Sequence, residues 1–527
     1  MTSLLRTLPL LTLSLFALAI PSTVSARTIS VSPGESIQTQ CLNVVAPGDT
    51  CEIQPGTYSI TTPLTLKVSG TPSAPITLKC ATIMGCTINS GTSKTLVTSN
   101  QTHYYTIENF RFIASAVTPH ATLYFGEGTT WSNSDKTLGN NGYIFRNNYV
   151  EGNMLFYGHD NLVENSEFNG KNIWNDGITD WYASSYNNTY RHNKIYDYKV
   201  RSIWTMQYTD NILIEDNDVN NHIDCDGAGH PVTRCIVKNN RIHDAGMGIQ
   251  IENSFDSVFE GNIISNVQTF GMIIENYGKS ADFNADSEYR NTISNITVKN
   301  NLIYNPGSNG IYIYGASGGI IENNTIIYSK ANAGYYGALA LARYDTFLSH
   351  DWVIKHNIFS SQNVSALVTT STTPLPNMVI DYNLYLGSKF YQRIDNTFTA
   401  KTTPQWQALG YDQHSLFTDP LFVDTSTSNY QLVPNSPACT GGQNGHYLGA
   451  FPCAVSSPTA SSSPFASPLP SPKPGDANGD SKVDGLDYVA WLTHYNQNVS
   501  GASNGDYNNS GKVDGLDYVV WLNHYGQ

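Results

Sequence analysis

"NILIEDNDVNN" (211–221), "CIVKNNRIHDA" (235–245) and "SVFEGNIISNV" (257–267) are three versions of one phrase. Each has a short apolar run, an Asn, then a second short run. The phrase continues in both directions through "YIFRNNYVEGN" (143–153), "NTYRHNKIYDY" (188–198), "ITVKNNLIYNP" (296–306), "GIIENNTIIYS" (319–329), "WVIKHNIFSSQ" (352–362) and "MVIDYNLYLGS" (378–388). The shared residue is Asn148, Asn193, Asn217, Asn240, Asn262, Asn301, Asn324, Asn357 and Asn383, mostly 22–27 residues apart. The gap from Asn148 to Asn193 holds two repeats, with Ser166 in the Asn slot of "NLVENSEFNG" (161–170). Short strands at a fixed period, with no helical stretch between them, predict a solenoid with one coil per repeat. Stacked coils put equivalent residues about 4.8 Å apart, so the Asn side chains should form a ladder.

On these repeats, residues 27–454 resemble a right-handed parallel β-helix of the pectate-lyase-like superfamily, a mainly β solenoid. "ISVSPGESIQTQCLNVVAPGDTCEIQPGTY" (29–58) resembles the N-terminal cap of such proteins, and "TDPLFVDTSTSNYQLVPNSPACTGGQNGHYLGAF" (418–451) resembles their closing segment. An open solenoid end exposes strand edges and core, so caps are a physical requirement.

The first 26 residues read as a secretory signal. One Arg is followed by the apolar run "TLPLLTLSLFALAI" (7–20), and small residues at Val24 and Ala26 mark a cleavage point. That run falls short of the roughly twenty residues needed to span a bilayer, and no later segment does better. Eight cysteines fall in four close pairs: Cys41 with Cys51, Cys80 with Cys86, Cys225 with Cys235, and Cys439 with Cys453. Such pairs suit four local disulfides in an oxidising compartment, with the connectivity left open by the sequence. A net charge of −14 with 13% charged residues argues against nucleic acid or an anionic membrane as partner.

A second strand follows the ladder in several coils: "GIQIEN" (248–253), "GMIIEN" (271–276), "GIYIYG" (310–315) and "GALALAR" (337–343). Alternation turns Ile249 and Ile251 inward and Gln250 and Glu252 outward. Glu275 then stacks on Glu252, with Tyr314 beyond it and Tyr312 near Gln250. Trp181, Trp204, Asp224 and Asp226 extend the same face. The result is a stripe of acids and aromatics suited to an extended polysaccharide. Glu252 and Glu275, on adjacent coils about 5 Å apart, would be catalytic carboxyls near the spacing of retaining glycosidases, wider pairs suit inversion, and Asp224 and Asp226 share a face as acid/base candidates. Trp181, Trp204, Gln250, Tyr312 and Tyr314 would bind sugar. Asp224 and Asp226 would alternatively hold a Ca²⁺ against an acidic sugar. The plain alternatives are that "IEN" ends a strand with a solvated Glu, and that "HIDCDGAGH" (222–230) is a disulfide-pinned loop. Resemblance to the lyases of this fold implies a Lys or Arg base beside a uronate, for which Lys199, Arg201, His243 and Arg343 are candidates, Arg343 foremost.

Residues 455–474 hold six Pro and seven Ser, the composition of an extended spacer. Beyond it, "GDANGDSKVDGLDYVAWLTHY" (475–495) and "GDYNNSGKVDGLDYVVWLNHY" (505–525) repeat an oxygen-rich loop. The first offers Asp476, Asn478, Asp480, the Lys482 carbonyl, Asp484 and Asp487. The second offers Asp506, Asn508, Ser510, the Lys512 carbonyl, Asp514 and Asp517. Alternating oxygens closed by a carboxylate at the twelfth position wrap a hard cation, as in an EF-hand. Here that position is Asp and a single helix follows each loop. With the duplication and the spacer, these features make residues 475–527 resemble a type I dockerin. The resemblance implies two Ca²⁺ ions and docking to a cohesin through Gly485, Leu486, Gly515 and Leu516.

Taken together, the sequence predicts a secreted chain that degrades a polysaccharide, as lyase or hydrolase, and is held on a cohesin-bearing scaffold or surface protein. The alternative is a non-catalytic glycan-binding or adhesive β-helix displayed by the same plug.

Overall fold

The computed structural model describes residues 25–453, except 92–93, 100, 115–121, 127–138, 182–183, 228–229, 277–293, 329–336, 344–347, 362–364, 370–374, 388 and 395–396, and residues 474–524, except 478–481, 484 and 509. The expected signal segment to residue 24, the spacer after Cys453, most of the inserts at 277–294 and 343–351, and the ligand positions Asn478, Asp480 and Asp484 lie outside the described residues. The chain forms two compact units, the first ending at Val455 and the second beginning at Ser456.

The first unit is built of three long sheets whose strands pair in parallel, coil upon coil. The first sheet runs from Thr28–Val31 to Val379–Asp381, the second from Gly56–Ile60 to Leu416–Phe417, and the third from Leu64–Leu66 to Thr397–Lys401. Each coil contributes one strand to each in turn. Period-two alternation turns one residue in two inward, so like residues stack into columns. Val237, Phe259, Val298, Ile321 and Ile354 line the first sheet, while Ile249, Met272, Ile311, Leu339 and Leu367 line the third. All ten are buried to 1% exposure or less, which makes the core continuous along the solenoid.

The Asn ladder stands at the corner between the first and second sheets. The backbone N–H of Asn217 donates to Asn240 Oδ1, that of Asn240 to Asn262, of Asn262 to Asn301, of Asn301 to Asn324, and so on to Asn383, all within 2.9–3.0 Å. Ser166 fills its slot as expected, its Oγ accepting from the Asn148 amide at 3.2 Å. The residue before each ladder position, from Asn147 to Tyr382, lies at φ between 49° and 67°. This left-handed step turns the chain through the corner, and it explains the run of Asn, Asp, His and Gly there.

The connectivity that the sequence left open is local throughout. Cys41 is bonded to Cys51 and Cys80 to Cys86, both near the N-terminal end of the solenoid. Cys225 is bonded to Cys235, tying a strand of the third sheet to the next strand of the first, and Cys439 is bonded to Cys453 in the closing segment. At the C-terminal end the third sheet closes with an antiparallel strand, Thr397–Lys401 against Phe390–Ile394. The short helix Thr403–Gln407 then lays Trp406 over Phe390, ring centroids 4.8 Å apart. The Trp406 indole donates to buried Asp412 at 2.8 Å. Among the described residues, no helix is long and apolar enough to cross a membrane.

The second unit carries two ten-residue helices, Gly485–His494 and Gly515–His524, around Val483, Tyr507 and Trp521. In its second loop, Asp506 accepts from the Ser510 and Gly511 amides at 2.9 and 3.0 Å, and Asp517 from those of Asn508 and Asp514 at 3.0 and 2.9 Å. Asp476, Asp487, Asp506 and Asp517 are all buried.

Candidate active site on the third sheet

The outward faces of five consecutive strands of the third sheet make the site: Asp176–Asp180, Arg201–Met206, His222–Asp226, Ile249–Glu252 and Met272–Glu275. Register puts Asp226, Glu252, Glu275 and Tyr314 in one column on successive rungs. The neighbouring column reads Trp204, Asp224, Gln250, Ile273 and Tyr312. Tyr312 therefore lies two rungs from Gln250, not beside it, because Ile273 takes the rung between. Its ring stacks with Phe270 and Tyr314, at centroid distances of 5.0 and 5.4 Å.

The carboxyls are buried although they face outward. Asp224 is fully buried, and Glu252 and Asp226 are 5% and 7% exposed. Arg201 Nε donates to Asp224 Oδ2 at 2.8 Å, its Nη1 reaches Asp176 at 3.3 Å, and its guanidinium lies 3.8 Å from the Trp204 ring centre. Trp204 Nε1 donates to Asp226 Oδ2 at 3.2 Å, and Gln250 Nε2 to Glu275 Oε1 at 3.0 Å. Burial, then the charges of Asp226, Glu275 and Asp224, push Glu252 well above the usual carboxylate range. The adjoining Asp226 side chain adds to the rise by favouring the neutral form of Glu252. Burial, then Asp224 and Asp226, lifts Glu275 to about 7. Asp224 Oδ1 and Glu252 Oε1 are buried with no hydrogen-bond partner. Among the described residues, no three His, Cys, Asp or Glu side chains converge as metal ligands do.

Aromatic rings continue the face toward the N-terminus. Trp204 and Trp181 lie 6.3 Å apart, Trp181 and Tyr157 6.1 Å, and Tyr157 and Tyr124 5.9 Å. The sequence alone does not single out Tyr124, Tyr157, Asp176 or His222. "NDGITDW" (175–181), with two Asp four residues apart before a Trp, is the available sign for Asp176.

Two of the expected bases are elsewhere. His243 sits on the second sheet, where its ring nitrogens meet Asp218 and Asp244, both at 2.8 Å. Arg343 follows the end of the strand Gly337–Ala342: Ala342, the residue before it, is two rungs beyond Glu275, and Arg343 itself is exposed. That distance along the solenoid keeps it away from the buried carboxyls. Lys199 is exposed in the turn that leads into Arg201–Met206. Of the four, the fold places only Arg201 among the acids.

Comparison with known proteins gives a consistent fold. The family model described as a right handed beta helix region matches residues 223–399, a span that includes Asp224, Asp226, Glu252 and Glu275. The Bacillus subtilis (strain 168) protein YwoF is 24% identical over 206 residues, covering 36% of this chain and 40% of that one. A mannuronic acid specific family 6 polysaccharide lyase from human gut microbiota superposes with a TM-score of 0.55 at 14% identity, covering 75% of this chain and 91% of that one. The family 6 alginate lyase AlyGC gives a TM-score of 0.48 at 12% identity, covering 74% of this chain and 57% of that one. This chain thus spans less than two thirds of the length of both YwoF and AlyGC. Three parallel sheets, an internal Asn ladder and the family match identify the first unit as a right-handed parallel β-helix.

Proposed function

We propose that the β-helix binds an extended polysaccharide across the rungs of the third sheet and cleaves it with the Asp226–Glu252–Glu275 column. The observation that carries this reading is the buried Glu252, raised well above the usual carboxylate range and set between two other carboxyls in one column. Glycosidic cleavage needs one carboxyl that holds a proton to give to the leaving oxygen and another that is ionised to attack or to activate water. Rungs about 4.8 Å apart bring neighbours in the column close to the roughly 5–5.5 Å of retaining enzymes. Glu252 would be the acid, and Asp226 or Glu275 its ionised partner. The aromatic residues on both sides supply apolar surface for sugar rings. A calcium ion at Asp224 and Asp226 would require their oxygens to turn from Arg201 and Trp204.

A second reading, β-elimination at a uronate, is favoured by the shape of the mannuronic acid specific lyase and by Arg201 in the stripe. One experiment separates the two. The protein is incubated with neutral and uronate polysaccharides, and reducing ends are followed together with the ultraviolet absorbance of unsaturated products. Reducing ends alone are expected. Both signals rising together would make elimination the reaction and Arg201 or Lys199 the base to test. Silence across a broad panel would leave a glycan-binding protein.

The second unit is proposed as a dockerin. Its loops offer oxygen donors only, and the buried Asp506 and Asp517 suit a hard cation. Two Ca²⁺ ions would bind, one held by Asp476, Asn478, Asp480, Lys482, Asp484 and Asp487 and one by Asp506, Asn508, Ser510, Lys512, Asp514 and Asp517. Leu516, 64% exposed at a helix start, fits the expected cohesin-reading position. The four disulfides suit an extracellular setting. A chelator should abolish most of the helical circular dichroism, because the two ten-residue helices belong to this unit, and calcium should restore it. An unchanged spectrum after chelation would rule calcium out as a folding ligand.

A further inference from the structure

Beside the carboxyl stripe, where the chain turns from the second sheet into the third, successive turns leave a cavity of about 470 Å³. That is within the usual range for small-molecule sites. Its polar wall is chiefly amide and hydroxyl, from Asn172, Asn220, Gln268 and Thr269. Val200, 36% exposed, and Met247 give it an apolar patch. His222 also lines it, is 9% exposed, and places Nε2 3.8 Å from Asp224 Oδ2. The cavity therefore reaches the stripe through one buried imidazole.

We propose that this cavity is a subsite for an uncharged sugar that branches from the polysaccharide main chain. The inference rests on the polysaccharide reading and deepens it. Amide and hydroxyl groups both donate and accept, which matches sugar hydroxyls, and the Val200–Met247 patch suits the C–H face of a pyranose or furanose ring. Lys199 on the rim is outnumbered by Asp197 and Asp244, and the excess negative charge disfavours an anionic sugar. Position decides between main chain and branch. The cavity opens at the start of the strand His222–Asp226, whereas the cleaving column lies at its end. At about 3.3 Å per residue, a main chain over Asp224 and Asp226 passes roughly 7–13 Å to one side. A branch of one or two sugars spans that distance, and the main chain does not enter.

Gly246 offers the test, because a Cβ built there meets no atom within 4 Å. Gly246→Trp should fill the cavity without moving the backbone, and Gln268→Ala, at an exposed wall position, removes one amide with little risk to folding. The full-length protein and its variants are titrated with methyl galactoside, xyloside, arabinoside and mannoside, and binding is read by saturation-transfer NMR. At least one glycoside should bind the parent protein, bind Gly246→Trp at least tenfold more weakly and bind Gln268→Ala at least threefold more weakly. Binding that survives both cavity variants overturns the subsite. So does the absence of glycoside binding while polysaccharide is still bound, and either result leaves the polysaccharide reading standing. Loss of polysaccharide and glycoside binding together overturns both.

Discussion

Glu252→Gln should lower kcat by roughly 10²–10⁴-fold, the range for removing a positioned general acid, while the circular dichroism stays unchanged. The amide keeps the shape and much of the hydrogen bonding of the protonated carboxyl, but it has no proton to give. Glu275→Gln and Asp226→Asn should each lower turnover as well. Full activity in all three would place the chemistry elsewhere. The proton also predicts the pH dependence. Because burial and the neighbouring carboxyls raise Glu252 well above the usual carboxylate range, its acid form persists to higher pH than that of an ordinary Glu, and the rate should fall as pH rises through its folded value.

The same carboxyls oppose folding in alkali. Glu275 keeps a proton up to about pH 7 in the folded chain, against an ordinary value of 4.5. Between those values the folded state holds more protons than the unfolded one, so stability falls as pH rises through that window and levels off above it. The loss is roughly 3 kcal/mol at most for this one group. Glu275→Gln should therefore melt above the parent protein at about pH 8, and the gap should close toward about pH 4.

The second large effect is expected in the ladder. Asn240→Ala should lower the unfolding free energy by roughly 3–5 kcal/mol, measured by urea denaturation. Asn240 Oδ1 accepts from the Asn217 amide at 3.0 Å and from Asn217 Nδ2 at 2.9 Å. Its own Nδ2 donates to Ile214 O at 2.9 Å and Asn262 Oδ1 at 3.1 Å. Alanine leaves these buried groups without partners, each costing about 1–3 kcal/mol and together less than their sum. Asn266 is the control, since it stands in a shorter side-chain ladder at the surface, donating to Asp244 Oδ1 at 3.4 Å and accepting from Asn305 at 3.2 Å. Water replaces those bonds, and because Asn266 lies at φ 54°, where alanine would add backbone strain, the control substitution is Asn266→Gly, which should cost less than about 1 kcal/mol. Equal losses at the two positions would show that burial of the ladder is not the cause.

The fold was legible because the corner between the first and second sheets imposes the same local demand in every coil. One left-handed residue followed by one buried amide yields the doublets "NN", "DN" and "HN", and even Ser166 could be placed by counting. The site was only partly legible. Alternation within one strand fixed that Gln250 and Glu252 face outward, and the matching phrases "GIQIEN" and "GMIIEN" fixed Glu275 on Glu252. The same alignment carried on to "GIYIYG" puts Ile273 between Gln250 and Tyr312, which went unnoticed, whereas Trp204 and Trp181 lie in coils without that phrase and a turn of varying length leaves them uncounted. The cluster of Arg201, Asp176 and Asp224 brings together residues 23–25 positions apart whose contact depends on that variable turn. His243 was named as a candidate base by residue type alone, and its strand belongs to the second sheet. Asp180 lies beside Trp181 yet points into the core, where burial lifts it to about 7 and Asn188 donates to it at 2.9 Å.

The reversed strand Thr397–Lys401 decides whether copies of this protein can add to one another. A stack of parallel strands is a growing surface, because each exposed edge is a template for one more strand of the same direction, and a second molecule could in principle continue where the first stops. At this end the last strand of the third sheet runs the other way, so a strand of a second copy laid in the common direction would have to pair antiparallel, and Trp406 roofs the core beneath it. A newcomer would therefore meet a covered core, and the burial of apolar columns that rewards each added coil inside the solenoid is withheld there.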